Sequence, residues 1–239
     1  MLRMPPATTA RQLTLLLLIA LLGCAGSNPL ESLGAFTGLS EEARASAGLR
    51  EALEVATSEA VGRTSAKNGF LDDPRIRIGL PDLLDTMGRG LRLVGQGSRV
   101  DELELAMNRA AERAAGEAKD VFWQAIRGMS FSDAVSIVQG GNTAATDFFE
   151  RTTREPLGKR FDPIVNEKMK ELGLVRLYDD LAERYAALPF TTKPAFDLRR
   201  YVSDKALDGL FAVLGDEERR IRTDPAARVT PLLQQVFGQ

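Results

Sequence analysis

The 239-residue chain has no histidine and a single cysteine, Cys24. Without imidazole, a Ser-His-Asp triad, a histidine general base and a His-type metal centre are all excluded. A lone cysteine forms no intrachain disulfide, so the core alone must hold the fold. Aromatic platforms are scarce, with one Trp and three Tyr. No charge excess stands out either. Lys and Arg total 31 against 33 Asp and Glu, a net of −2. That balance gives no electrostatic reason to bind nucleic acid, and no polybasic run for anionic lipid heads. The segment "GRGLRLVG" (88–95) fails the dinucleotide-loop pattern because Leu93 stands where the third glycine belongs. Neither a cofactor nor a metal site is expected. The chemistry left open is that of carboxylates, Lys, Tyr or a Ser-Lys pair.

What is present begins at the amino terminus. Arg3 and Arg11 precede an apolar stretch from Leu13 to Leu22, interrupted only by Thr14. About ten residues are too few to cross a bilayer, which takes roughly 20. The length and flanks fit the hydrophobic region of a secretory signal over 1–23. Leu21-Leu22-Gly23-Cys24 follows and resembles the lipobox of bacterial lipoproteins. That resemblance implies cleavage between Gly23 and Cys24 and acylation of the Cys24 thiol and of the new amino terminus. Two or more acyl chains anchor a protein durably where one does not. Ala25 occupies the place where an acid would favour inner-membrane retention, so the periplasmic leaflet of the outer membrane is expected. Residues 24–39, rich in Gly, Ser and other small residues, read as a lipidated tether. Some 15 flexible residues reach roughly 20 Å.

The remainder, 40–239, reads as helix after helix. Ser40 is an N-cap candidate, with acids in the first turn behind it. Leu49, Leu53, Ala56 and Ala60 recur at helical spacing. Over "KNGFLDDPRIRIGLPD" (67–82) the period is lost. Ile76, Ile78 and Leu80 alternate with Arg75, Arg77 and Gly79, as in an extended arm with one apolar edge. No partner strand is evident. Ser98-Arg99-Val100-Asp101 matches a capping signature and should open a long central helix over about 98–128. Its expected stripe is Val100, Leu103, Met107, Ala110, Ala114, Ala118, Val121, Ala125 and Met129. Further starts are read at Phe131-Ser132-Asp133, Asn142, Thr153, Asp162-Pro163, Asp197, Ser203 and Thr230-Pro231, and Gly173 reads as a helix end. The expected fold is all-α, a single irregular bundle of about eight to ten helices.

Several stretches, "GLREALEVATSEAV", "RIRIGLPD", "DELELAMNRAAERAAGEAKDVFWQAIRGMSFSDA", "DFFERTT" and "FDLRRYVSDKALDGLFAVLGDEERRIRTDPAARVTPLLQQVFG", together resemble the bacterial lipoprotein family of the domain of unknown function 4197. The resemblance runs from about Leu49 to Gly238. It implies a lipid-anchored helical envelope protein, and it carries no activity and no catalytic residues.

Candidate sites are few. Arg151, Thr152, Thr153 and Arg154 gather at an expected helix start, where guanidinium groups and free N–H groups can hold an anion. The competing reading has Thr153 as a plain cap and the arginines paired with Glu150 and Glu155. Trp123 falls opposite the central stripe, among Arg109, Glu112, Lys119 and Arg127. Either a second layer covers it or it meets a partner. Asp179 and Asp180 are adjacent in a helix, point about 100° apart and read as surface. "DEERRIR" (216–222) reads as a solvated face carrying a Glu218–Arg222 pair. The arm reads as a cover over part of the core, or as a lid over a pocket.

The expected function is non-catalytic binding or scaffolding in the cell envelope. Its partners would be the membrane, through the N-terminal lipid, and an envelope protein, lipid or cell-wall ligand, with no nucleic acid. The alternative is a carboxylate-based hydrolase, which would need two acids across a cleft.

Overall fold

The computed structural model describes residues 39–132 and 134–238. The signal segment, Cys24, the tether up to 38, and Asp133 lie outside them. Among the described residues there are eight α-helices, one 3₁₀ turn and no strand, as the sequence predicts. The helices are α1 (Glu41–Ser65), α2 (Asp82–Leu93), α3 (Gly97–Gly128), α4 (Ala134–Val138), α5 (Ala144–Glu171), α6 (Leu174–Ala186), α7 (Leu198–Thr223) and α8 (Pro231–Phe237).

Four long helices, α1, α3, α5 and α7, pack as a ring in chain order, with the last against the first. Named contacts fix their directions. Arg50 of α1 donates to Met129 O at the end of α3, while Ser65 approaches Gly116. Gln124 of α3 meets Arg160 of α5, and Glu117 meets Lys168. Thr146 of α5 meets Glu218 of α7, and Arg154 meets Asp208. Neighbours therefore alternate in direction, as in an up-down-up-down bundle. Each connection carries an extra element. The arm and α2 lie between α1 and α3, α4 lies between α3 and α5, and α6 lies between α5 and α7. Phe122, Phe149 and Phe211 meet at the centre with ring centroids 5.5–5.9 Å apart. Ala110, Ala111, Ala114, Ala115 and Ala118 of α3 are fully buried, which lets neighbouring helices approach closely. The buried line of α3 passes to Phe122 and Ile126 rather than continuing fully through Val121 and Ala125. A 3.6-residue period makes this drift unavoidable over 32 residues.

Ser40, Asp197 and Thr230 cap their helices as expected, accepting from Ala43 N, Arg200 N and Leu233 N. Gly173 ends α5 in the left-handed region at φ 64°.

Other boundaries differ. The central helix begins at Gly97 after Gln96, with no side-chain cap, so Ser98 is not the cap. α5 begins after Thr143 rather than Asn142 and runs unbroken through Thr153, Pro156, Asp162 and Pro163. The two prolines each remove one helical N–H, but both are exposed, so the freed carbonyls face water. On the inner side Phe149, Thr153, Leu157, Phe161, Val165 and Met169 continue at four-residue spacing across both prolines. That packing outweighs the breaks. α7 likewise runs through Ser203, which is buried inside it.

Candidate functional site: buried polar clamps and the surfaces they leave

The arm has no partner strand because α3 supplies side chains instead. Asn108, fully buried, accepts from Ile78 N at 2.9 Å and donates to Ile78 O at 2.8 Å. One amide side chain thus reproduces a strand's pairing with one residue. One turn on, Glu112 accepts from Phe70 N at 3.3 Å and Leu71 N at 3.4 Å. Arg109 binds the other oxygen of Glu112 and also donates to Asn68. Tyr201 OH donates to Gly79 O at 2.9 Å. With its backbone satisfied, the arm buries Phe70, Ile76 and Ile78. Gly209 of α7 permits the closeness, since a Cβ there would lie 2.4 Å from the Phe70 ring. The arm is a cover over the core, pinned along its length.

A second clamp sits where the sequence suggested a solvated face. Glu217 and Glu218 are 3% and 1% exposed, so "DEERRIR" is half interior. Glu218 accepts from Ala145 N at 3.0 Å and from Thr146 N at 2.7 Å, and from the Thr146 hydroxyl. It thereby caps the start of α5 with a carboxylate, where the helix dipole favours one. Arg222 donates to Glu218, to Val138 O at 2.7 Å and to Ile137 O at 3.1 Å, closing the end of α4. Its guanidinium lies 5.1 Å from the Phe237 ring centroid. The predicted i,i+4 pair is present, but it is buried because two chain ends need a charge there. Glu217 in turn binds Arg63 and Arg220.

The other candidates are not brought together. Thr152 and Thr153 donate to Phe148 O and Phe149 O of their own helix. Arg154 bridges Glu150 and Asp208, and Arg151 lies over the Phe148 ring. No helix begins at this point, so the free N–H groups that an anion site here required are absent. Trp123 is half-buried against α1. Its indole N–H donates to Glu54 O at 3.2 Å, and its ring faces Lys119 and Arg127. Asp180 accepts from Arg99 and Arg184, each at 2.9 Å. Those two guanidinium groups hold its carboxyl below the usual range. Asp179 faces Lys193 at 3.4 Å.

Two surface features fall outside the sequence reading. Phe190 stands fully exposed in the loop between α6 and α7, at φ 63°. That loop is braced. Thr191 donates its hydroxyl to Tyr185 O and Leu188 O, and Tyr178 OH donates to Pro194 O at 3.3 Å. Leu83, Leu93 and Val94 of the neighbouring α2 region are exposed as well. A cavity of about 320 Å³ opens beside the start of α1, between α4 and α8, and Arg222 and Phe237 line it. Among the described residues, no three Asp, Glu, His or Cys side chains gather as metal ligands would.

A helical bundle whose buried charges brace its own chain ends defines a class: an all-α domain with no recognisable catalytic constellation among the described residues. Within that class, a profile of the family described as "Protein of unknown function (DUF4197)" matches residues 39–238, and the chain belongs to that family. No curated protein and no solved structure matches it significantly.

Proposed function

We propose that this protein is a lipid-anchored, non-catalytic binding or scaffolding protein facing the periplasm, held to the outer membrane through Cys24. Phe190 carries the binding part of the reading. A non-glycine residue in the left-handed region costs roughly 1–3 kcal/mol. Leaving a Phe side chain in water forgoes a further 1.5–3 kcal/mol or so. A braced loop that maintains both costs presents a rigid aromatic anchor of the kind that dominates protein interfaces. The lipobox-like Leu21-Leu22-Gly23-Cys24 supports the anchor. The chain enters the bundle at Ser40, past the end of α3 and near α4, where Glu42 accepts from Ala134 N, whereas Arg99 at the start of α3 binds Asp180 of α6. α3 spans about 48 Å. Phe190 and α2 are therefore on the half of the bundle away from Ser40.

A hydrolase would need two carboxylates facing one cleft. The three buried acids, Glu112, Glu217 and Glu218, are each engaged in bracing the fold, which favours binding over catalysis.

Two measurements test the proposal. Cys24→Ser should move the protein from the membrane pellet to the soluble fraction, and retention of the variant in the pellet would contradict lipidation. A photo-crosslinker placed at 190 should give a discrete envelope-protein adduct that the same probe at exposed Lys159 does not give. Identical patterns at the two positions would remove Phe190 as the contact.

A further inference from the structure

Nearly every described cation in this protein has a partner. Four lack any ion pair, hydrogen bond or ring contact: Lys67, Lys170, Arg176 and Arg199. Three of the four line one groove. It lies where the last turns of α5 (Asn166, Glu167, Lys170) meet the Gly173 turn, the start of α6 (Val175, Arg176) and the start of α7 (Arg199), and it encloses about 630 Å³. Three like charges on a concave wall focus a positive potential. One acid, Glu167, also lines the groove, and the cations outnumber it.

One further feature bears on the ligand. The first turn of α6 opens at Gly173, which has no side chain to cap it. Its N–H groups add to the same sign of potential.

We propose that this groove binds a phosphate-bearing ligand, a phosphate monoester or diester. The phosphate would sit against Arg176, Arg199 and Lys170. The volume falls within the range usual for small-molecule sites. This inference rests on the reading of the chain as a binding protein and names the chemistry of one of its sites.

The test is calorimetric titration of the full chain in neutral detergent. The probes are glycerol 3-phosphate, inorganic phosphate and short-chain phosphatidylglycerol, with glycerol and short-chain phosphatidylcholine as controls. Binding of at least one phosphate probe without matching binding of the controls is expected. Preference for phosphatidylglycerol would place the source in the membrane, and equal binding of glycerol 3-phosphate would place it in a soluble phosphoester. Each of Arg176→Ala and Arg199→Ala should weaken binding about tenfold or more. Because neither side chain has a partner in the fold, both variants should melt with the parent. No heat from any phosphate probe, or arginine variants that bind as the parent does, would overturn the proposal. These titrations require neither lipidation of Cys24 nor contact at Phe190, so they fail or succeed independently of the fractionation and cross-linking results.

Discussion

Glu112 and Glu218 perform the same task at two places, and the difference between them is instructive. Each carboxylate accepts two backbone N–H groups that lack a backbone partner, at Glu112 from the irregular arm and at Glu218 from the first turn of α5, and each is bound by an arginine on its own helix. At Glu112 the arginine, Arg109, keeps partial access to water, with 24% of its side chain exposed. At Glu218 the arginine, Arg222, is 7% exposed and closes a second chain end through Val138 O and Ile137 O. The first clamp fastens one segment to the bundle. The second ties α4, α5 and α7 to one another, so its loss should be felt more widely.

The largest effect should come from Arg222→Ala. It leaves the Glu218 charge buried without its arginine, frees Val138 O at the end of α4 and leaves Ile137 O with only its bond from Gly140 N. Breaking a buried pair from one side costs roughly 3–5 kcal/mol. Chemical denaturation should show a loss of that size, and a change under about 1 kcal/mol would mean the pair is solvated after all. Elsewhere, an apolar replacement of both partners can restore stability. Here Glu218→Leu combined with Arg222→Met should not, because Ala145 N, Thr146 N and Val138 O would still lack partners.

Glu112→Ala should cost less, about 1–3 kcal/mol. Phe70 N and Leu71 N lose their acceptor, but Arg109 can turn to water. Hydrogen exchange sharpens the comparison. The Glu112 variant should lose protection in 67–81 alone, whereas the Arg222 variant should lose it in α4 and the first turn of α5 together. Uniform loss in both would show that the clamps act as one unit. Gly209→Ala attacks the arm from its other side by driving a methyl group into the Phe70 ring. Overpacking of this kind costs about 1–3 kcal/mol.

The contrast also explains what could be read from the residues. Of the four long helices, α1 and α3 are legible as single helices from their apolar stripes, as with Val100, Leu103 and Met107. The caps at Ser40, Asp197 and Thr230 were visible because capping is a local matter. At Thr153, Asp162-Pro163 and Ser203 a local start signal sits inside a stripe that continues past it, and the helix follows the stripe. Phe149, Leu157, Phe161 and Val165 kept their four-residue rhythm through both prolines, and that rhythm was the better guide. The clamps were harder to see. Asn108 and Glu112 look like ordinary polar residues until the arm folds onto them. Glu218 and Arg222 look like a surface pair until two chain ends arrive. The basic groove is a stronger case. Lys170, Arg176 and Arg199 form no run in the sequence, and only the turn at Gly173 and the return of α7 bring them to one wall.

The smallest expected effect concerns acid. Outside the interior clamps, Asp73, Asp180 and Asp216 hold pKa values below the usual range. For Asp73 the main cause is the hydrogen bond from Arg75. For Asp180 it is the bonds from Arg184 and Arg99. For Asp216, burial pushes the value upward but bonds from Arg75 and Arg219 outweigh it. A lowered native value means the stabilisation is complete above the unfolded carboxylate value near pH 4 and is lost as pH falls through the native values. Arg75 touches two of the three, so Arg75→Gln should shift the acid limb of the melting curve to higher pH. The change at neutral pH should be small, about 0–1 kcal/mol for each pair after screening. With no imidazole in the chain, the melting temperature should be flat between about pH 5 and 8. A transition centred near pH 6 would contradict this expectation.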